Sequence, residues 1–371
     1  MKERQPCLSF SVWEFDEQHI SSRRSQLRSL VPRSLRETPR RSKKMEDPVT
    51  TLTEILGDYR RHDGFQITSD HIIRWSSQFP EDDRPVLLRE LAYTYGKTYI
   101  SRSTAEQFVG ALMTNPKLAG SEPDKFWRNI NILGIQRGGS SQRDLLDILD
   151  AQLNSNFGFG KSSNDSSDVH LYLDDGIYSG NRVHFDFQPW LENHKGKRGD
   201  VHVVVLAQHT HGQYYAAQKI QEYQRQFGTQ FKFHWWRCVE LEDRRSCMNR
   251  SDVLRPTELP QTPGAIAYAK RLSDQGYPVQ FRAVLNPPYQ SEYFSGEAGR
   301  QALERIFLEV GARTLAMCPN FSERIRPYGF NILRTLGFGS LIATYRNCPN
   351  TAPVALWAND PWHPLLPRKT N

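Results

Sequence analysis

The sequence contains no run of about eighteen apolar residues, so nothing in it reads as a membrane-spanning helix. No basic segment followed by an apolar one opens the chain, so export is not indicated. Cysteine is scarce: Cys7, Cys238, Cys247, Cys318 and Cys348 are the five in 371 residues. The number is odd and no C-x-x-C pair occurs. This argues against a disulfide framework or a zinc knuckle, and favours a reducing, cytoplasmic setting. No internal repeat is present. The main body also lacks a charge excess. The net charge is +7, but residues 1–44 hold eleven Lys or Arg against five Asp or Glu. The remaining residues hold 37 against 36. A broad nucleic-acid groove in the folded part needs a basic surplus, and none is there.

What is present fits a soluble globular chain, 38% hydrophobic and 24% charged. Its length suits one large domain with appendages, or two domains. Residues 1–44, with SSRRSQLRSLVPRSLRETPRRSKK, cannot build a core. They read as a disordered basic tail, or as sequence upstream of a true start at Met45. The competing reading is a basic arm for RNA, DNA or membrane. From 45 to 120 the apolar positions recur every three or four residues, which predicts a helical N-terminal unit. Within it Ser103 and Glu106 have the spacing of a capping box.

Residues 121–365 change rhythm. NINILGI, VHLYL, VHVVVLA, FKFHWWRCVEL, PVQFRAVL, RTLAMC and SLIATY read as strands alternating with helices. This predicts an α/β domain whose mostly parallel sheet carries helices on both faces. In such sheets ligands bind at the carboxyl ends of the strands. Residues 153–168 are rich in Gly, Ser and Asn and predict a mobile loop. Residues 242–262 read as an insertion between a strand and a helix.

Two glycine-rich turns occur where a strand hands over to a helix. The first runs through Gln136, Arg137, Gly138 and Gly139. The second is Asp174-Asp175-Gly176-Ile177-Tyr178-Ser179-Gly180-Asn181-Arg182. Glycine lets backbone approach a ligand closely, and the helix start that follows offers free N–H groups. Two such turns on one sheet edge predict a site for a ligand with phosphates at both ends. Two adjacent acids would repel such a ligand unless hydroxyls or a cation intervene. A ribose supplies hydroxyls to Asp174 and Asp175, and a magnesium ion offsets the remaining charge. The same acids would stabilise positive charge developing at the anomeric carbon.

VHLYLDDGIYSGNR resembles the phosphoribosyl-diphosphate motif of type I phosphoribosyltransferases, and GIQRGGS resembles their diphosphate loop, in the same chain order. The resemblance implies that Asp174 and Asp175 meet the ribose hydroxyls and that Ile177 to Arg182 hold the 5-phosphate. It also implies that Gln136 to Gly139 hold the diphosphate with magnesium. LAYTYGKTYISR, Phe126-Trp127 and GFGSLIATYRNCPNTAPVALW extend the likeness to a bacterial PRTase-CE-like family found in conflict and anti-phage loci, including some retrons. That likeness covers roughly residues 50–365. It implies a defence effector with a nucleotide or phosphoribosyl ligand. Partners would be defence components, such as a reverse transcriptase with its RNA or DNA, or a neighbouring DNA-binding protein. Tyr178 and Arg182 depart from the motif, where small or hydroxyl residues are usual. No two-stranded flap separates the motifs, so closure falls to 153–168 or to 242–262, or the site stays open.

His209 and His211 end the third strand on the same edge. They read as metal ligands, a general base or the polar lip of a cleft. Tyr214 and Tyr215 read as core packing rather than a stacking platform for a base. Trp235 and Trp236 are adjacent on a strand, so one faces each way. Cys318 and Cys348 read as buried structural thiols.

Overall fold

Local chemistry sets the first helices. The computed structural model describes residues 47–161, 164–318, 320–331 and 335–369. The basic N-terminal segment lies outside the described residues, as does Met45. Helix α1 (Pro48–Ile55) starts on a proline, with the Asp47 carboxylate accepting from Thr50 N. Helix α2 (Ser69–Ser76) is capped by Thr68. Helices α3 (Arg84–Thr98) and α4 (Arg102–Met113) are separated by the two-residue strand β1 (Tyr99–Ile100). The predicted capping box is displaced. Ser101, not Ser103, accepts from Thr104 N at 3.1 Å, and Glu106 takes Arg102 Nε at 2.9 Å. The helix begins earlier because the Asp58 carboxylate receives Arg102 N at 2.7 Å. Short helices α5 (Pro116–Ala119) and α6 (Pro123–Asn129) lead into the sheet.

The sheet is parallel, in the order β2 (Asn131–Leu133), β3 (Val169–Ile177), β4 (Arg198–His209) and β5 (Gln230–Leu241). Helices α7 (Ser141–Phe157), α8 (Asn181–Asn193) and α9 (Thr210–Phe227) connect successive strands. Residues 201–207 are all buried, except that His202 retains slight exposure, so this strand is covered on both sides as its apolar run predicts. Tyr172, Val201, Val203 and Val205 form one core with Phe187 and Trp190 of α8 and Ala216 and Ile220 of α9. His202, pointing the other way, meets Phe126 of α6 edge to face. The neighbouring tryptophans divide as expected: Trp235 packs against the first core, and Trp236 donates to His202 Nδ1 at 3.1 Å.

Parallel pairing places the turns after β2, β3 and β4 on one edge. In register, Ile177 lies opposite Gln208, and Gln208 opposite Glu240. The C-terminal part then departs from strand–helix alternation. It holds α10 (Pro263–Asp274), α11 (Glu297–Met317), the hairpin β6 (Ile325–Arg326) and β7 (Gly329–Phe330), β8 (Ala343–Thr344) and α12 (Val354–Trp357). PVQFRAVL forms no strand, because its backbone donors are spent on the insertion: Arg282 N on Pro256 O and Ala283 N on Asn249 Oδ1. RTLAMC is the last part of α11, whose buried face runs through Phe307, Val310 and Thr314. SLIATY supplies β8, which pairs with β1 in a separate two-stranded sheet.

That pairing joins the two ends of the described chain. Leu52, Trp75 and Leu91 share a core with Phe307, Leu356 and Trp357. Trp75 Nε1 donates to Ala355 O at 2.9 Å. No helix among the described residues is long and apolar enough to cross a membrane.

Candidate anion-binding site

The first turn is fixed by a pair of glutamines across the start of α7. Gln136 N donates to Gln142 Oε1 at 3.0 Å, and Gln142 N donates to Gln136 Oε1 at 3.1 Å. Each side chain thus satisfies the other's backbone. Gly139 has φ +87°, a left-handed conformation that glycine adopts without strain. Arg137, Gly138 and Gly139 are exposed at the loop tip, where a ligand has access.

The second turn is tied to the first through its leading acid. Asp174 is fully buried. Ser141 Oγ receives Gln136 Nε2 at 2.8 Å and in turn donates to Asp174 at 2.6 Å. Asp175 N donates to the same carboxylate at 2.8 Å, and the Tyr172 hydroxyl lies 3.1 Å away. That hydroxyl is 2.8 Å from Asp186 on α8, and Asp186 accepts Arg137 N at 3.1 Å. The two loops therefore share one buried network, Gln136–Ser141–Asp174–Tyr172–Asp186–Arg137. Burial pushes the Asp186 carboxyl up, against the Tyr172 hydrogen bond that lowers it.

The two adjacent acids have different surroundings. Asp174 is saturated with donors from the loops. Asp175 is only half-buried, and faces the site with few fixed partners. Burial pushes Asp175 up to about 8, with the neighbouring Asp174 adding and Arg182 opposing. Arg182 is exposed and close enough in charge to act on both Asp175 and Asp186.

The phosphate-loop candidates lie where the motif requires. Gly180 has φ +82°, and a Cβ there would come within 2.2 Å of Gly212 O. The turn thus sits directly on the start of α9. Asn181 N points at Ser179 Oγ at 3.4 Å. Ile177 is buried and anchors the turn in the core of α8 and α9. Tyr178 folds back over Gly176, where a Cβ would meet its ring at 2.8 Å. The bulk that departs from the motif is accommodated by the adjacent glycine.

His209 and His211 differ. His209 is fully buried, with Nδ1 2.9 Å from Asp243 Oδ2, and its ring meets Tyr178 edge to face. His211 is half-buried and gives its backbone N–H to Asp243 Oδ1 at 2.8 Å. Burial lowers the His211 imidazole, against the attraction of Asp243. Tyr214 is 49% exposed rather than core, while Tyr215 packs on His184.

The sequence also misplaces a lid. Residues 158–161 fold back on α7, with Lys161 N on Asp150 Oδ1 and Lys161 Nζ on Asp147. They precede β3, so they lie at the sheet edge opposite the turns, a helix length of about 25 Å away. The insertion 242–262 follows β5 and stands at the correct edge, where it contributes Asp243.

Ser141, Tyr172, Asp186, Asp243 and Arg346 escaped sequence reasoning. Arg346 is buried beside the first turn, paired with Asp144 and donating to Ser140 Oγ at 3.1 Å. Burial pulls its guanidinium down to about 10. Only the sequence TYRNC, within a segment of family likeness, hinted at it.

Among the described residues no group of three or more His, Cys, Asp or Glu side chains is placed to hold a metal ion. The residues present fit magnesium only as an ion carried by ligand phosphates, with Asp175 as the accessible protein oxygen donor.

No curated protein and no solved structure matches the chain. The PRTase-CE family model matches residues 72–368, a span that holds both turns, the acid pair, His209 and Arg346. The chain belongs to the PRTase-CE family and is phosphoribosyltransferase-like.

Proposed function

We propose that the protein binds a phosphoribosyl diphosphate, or a related nucleotide, across the two turns and transfers or hydrolyses at the anomeric carbon, as a cytoplasmic effector of bacterial anti-phage defence. One observation carries this reading: both glycine turns lie at one sheet edge and are fastened to each other through Asp174 and Asp186. Arg137 and the loop N–H groups would take the diphosphate. Ser179, Gly180, Asn181 and Arg182 would take the 5-phosphate. Asp175 would meet the ribose hydroxyls, and Asp174 would hold the loops in register. Magnesium, brought by the phosphates, would offset the charge of the acids and of the leaving diphosphate.

Tyr178 supports a second reading, a nucleotide-sensing or scaffold module that regulates a partner. Its ring fills the space over Gly176 at the strand end. A pocket occupied by its own side chain suits ligand-gated signalling. A reverse transcriptase with its nucleic acid, or a DNA-binding protein, would be the partner.

Nucleotide pools and growth of cells expressing the protein separate the two. Under the enzymatic reading, Asp175→Asn with Arg182→Ala restores pools and growth to those of cells without the protein. Unchanged toxicity in that double variant would sink the enzymatic reading.

A further inference from the structure

The proposed function leaves unused a buried histidine at the edge of the site. His209 is the last residue of β4, one strand over from the acid pair. Its Nδ1 is 2.9 Å from Asp243 Oδ2. The other Asp243 oxygen receives His211 N at 2.8 Å and the Thr210 hydroxyl at 3.2 Å. Burial pushes the Asp243 carboxyl up, but His209 and these donors hold it below its ordinary range. Asp243 therefore acts as an acceptor, and hydrogen-bond partnership assigns the proton to His209 Nδ1. That leaves a lone pair on Nε2.

His209 Nε2 is buried and finds no hydrogen-bond partner. An orphaned buried polar atom is costly, and it asks for a function or a ligand. The His209 ring is flanked by Phe338 at 5.4 Å between ring centroids and by Tyr178 at 5.7 Å. Tyr178 belongs to the phosphate turn itself. The unsatisfied nitrogen is thus covered by the one residue of that turn that departs from the motif in bulk.

We propose that His209 is the general base of the reaction, unmasked when Tyr178 swings aside, with Asp243 as its positioning residue. The inference rests on the phosphoribosyl-transfer reading. The acceptor carries an O–H or N–H at its attacking atom. Its lone pair forms the bond to the anomeric carbon as the bond from that carbon to the diphosphate oxygen breaks. The electron pair of the broken bond leaves with diphosphate. The acceptor's proton passes to Nε2, and Asp243 stabilises the resulting imidazolium.

The test uses the full chain with phosphoribosyl diphosphate and magnesium. Diphosphate release and ribose 5-phosphate formation are followed in wild type, His209→Gln and Asp243→Asn. Calorimetry measures ligand binding, and thermal melting verifies folding. Ribose 5-phosphate identifies water as the acceptor, and its absence beside released diphosphate identifies a different one. We expect kcat to fall about 10²-fold or more in both variants while the ligand Kd stays within about threefold. A role confined to structure would lower the melting temperature and leave that split absent. His209→Gln that binds and turns over like wild type overturns the assignment. Should that variant not fold, Asp243→Asn decides: it preserves shape, and unchanged turnover overturns the assignment equally. Wild type that fails to bind the ligand overturns the phosphoribosyl reading itself, a result distinct from binding with His209-independent turnover.

Discussion

Asp174 and Asp175 are neighbours in sequence with opposite roles in the fold, and replacing each by Asn exposes the difference. Asp174 is fully buried and accepts Ser141 Oγ at 2.6 Å, Asp175 N at 2.8 Å and Tyr172 OH at 3.1 Å. Asparagine keeps one acceptor oxygen and turns an NH₂ group toward donors. Each hydrogen bond to a charged group contributes about 1.5–3 kcal/mol, and breaking a buried charged network costs about 3–5 kcal/mol. We expect Asp174→Asn to cost about 3 kcal/mol. Asp175 is pushed up to about 8, so near neutral pH a neutral amide replaces a mostly neutral acid. We expect Asp175→Asn to change stability by less than about 1 kcal/mol. Urea unfolding at pH 7, with m unchanged, measures both. Equal costs, or a larger cost at Asp175, would refute the division of labour between the two acids.

Further expectations concern pH and the turns. The folded state keeps a proton on Asp175 that the unfolded chain loses above its ordinary 3.8, so this group's contribution to stability falls as pH rises from there to about 8. The slope reaches about 1.4 kcal/mol per pH unit, and Asp175→Asn should abolish it in unfolding curves taken across that window. Burial lowers His202 to about 4, with His234 adding, so the unfolded chain takes up a proton near 6.5 that the folded state refuses. Stability from this residue is present above 6.5 and lost as pH falls toward 4, and His202→Gln should flatten that acid limb. Gly180→Ala combines φ +82° with a 2.2 Å approach to Gly212 O and should cost more than about 2 kcal/mol. Gly196→Ala, at φ +73° with nothing near, should cost about 1 kcal/mol by the same unfolding measurement.

The sheet was legible where burial on both sides leaves continuous apolar runs, as in VHVVVLA, and where glycines mark the handover to a helix. Beyond β5 the same signals misled. PVQFRAVL alternates like a strand, but its backbone donors and Arg282 are committed to partners distant in sequence, Pro256, Asn249 and Glu304. RTLAMC is apolar because it continues a buried helical face, and short apolar runs do not distinguish the two. Of the site, the acids and loops were visible because their residue types and spacing carry the chemistry. Ser141, Asp186 and Asp243 were not. Each is an ordinary polar residue in helix or loop sequence, and its role arises only when parallel pairing brings separate turns to one edge. Composition identified residues 153–168 as a loop, but only strand direction shows that the loop lies at the far edge.

The claim that two turns make one anion site is tested most directly by calorimetric titration of the folded protein with phosphoribosyl diphosphate and magnesium. We expect a single site, weakened about tenfold or more by Arg137→Ala in one turn and similarly by Arg182→Ala in the other, as loss of a charge-assisted phosphate contact requires. Absence of binding heat, or binding indifferent to both arginines, would contradict the two-turn site.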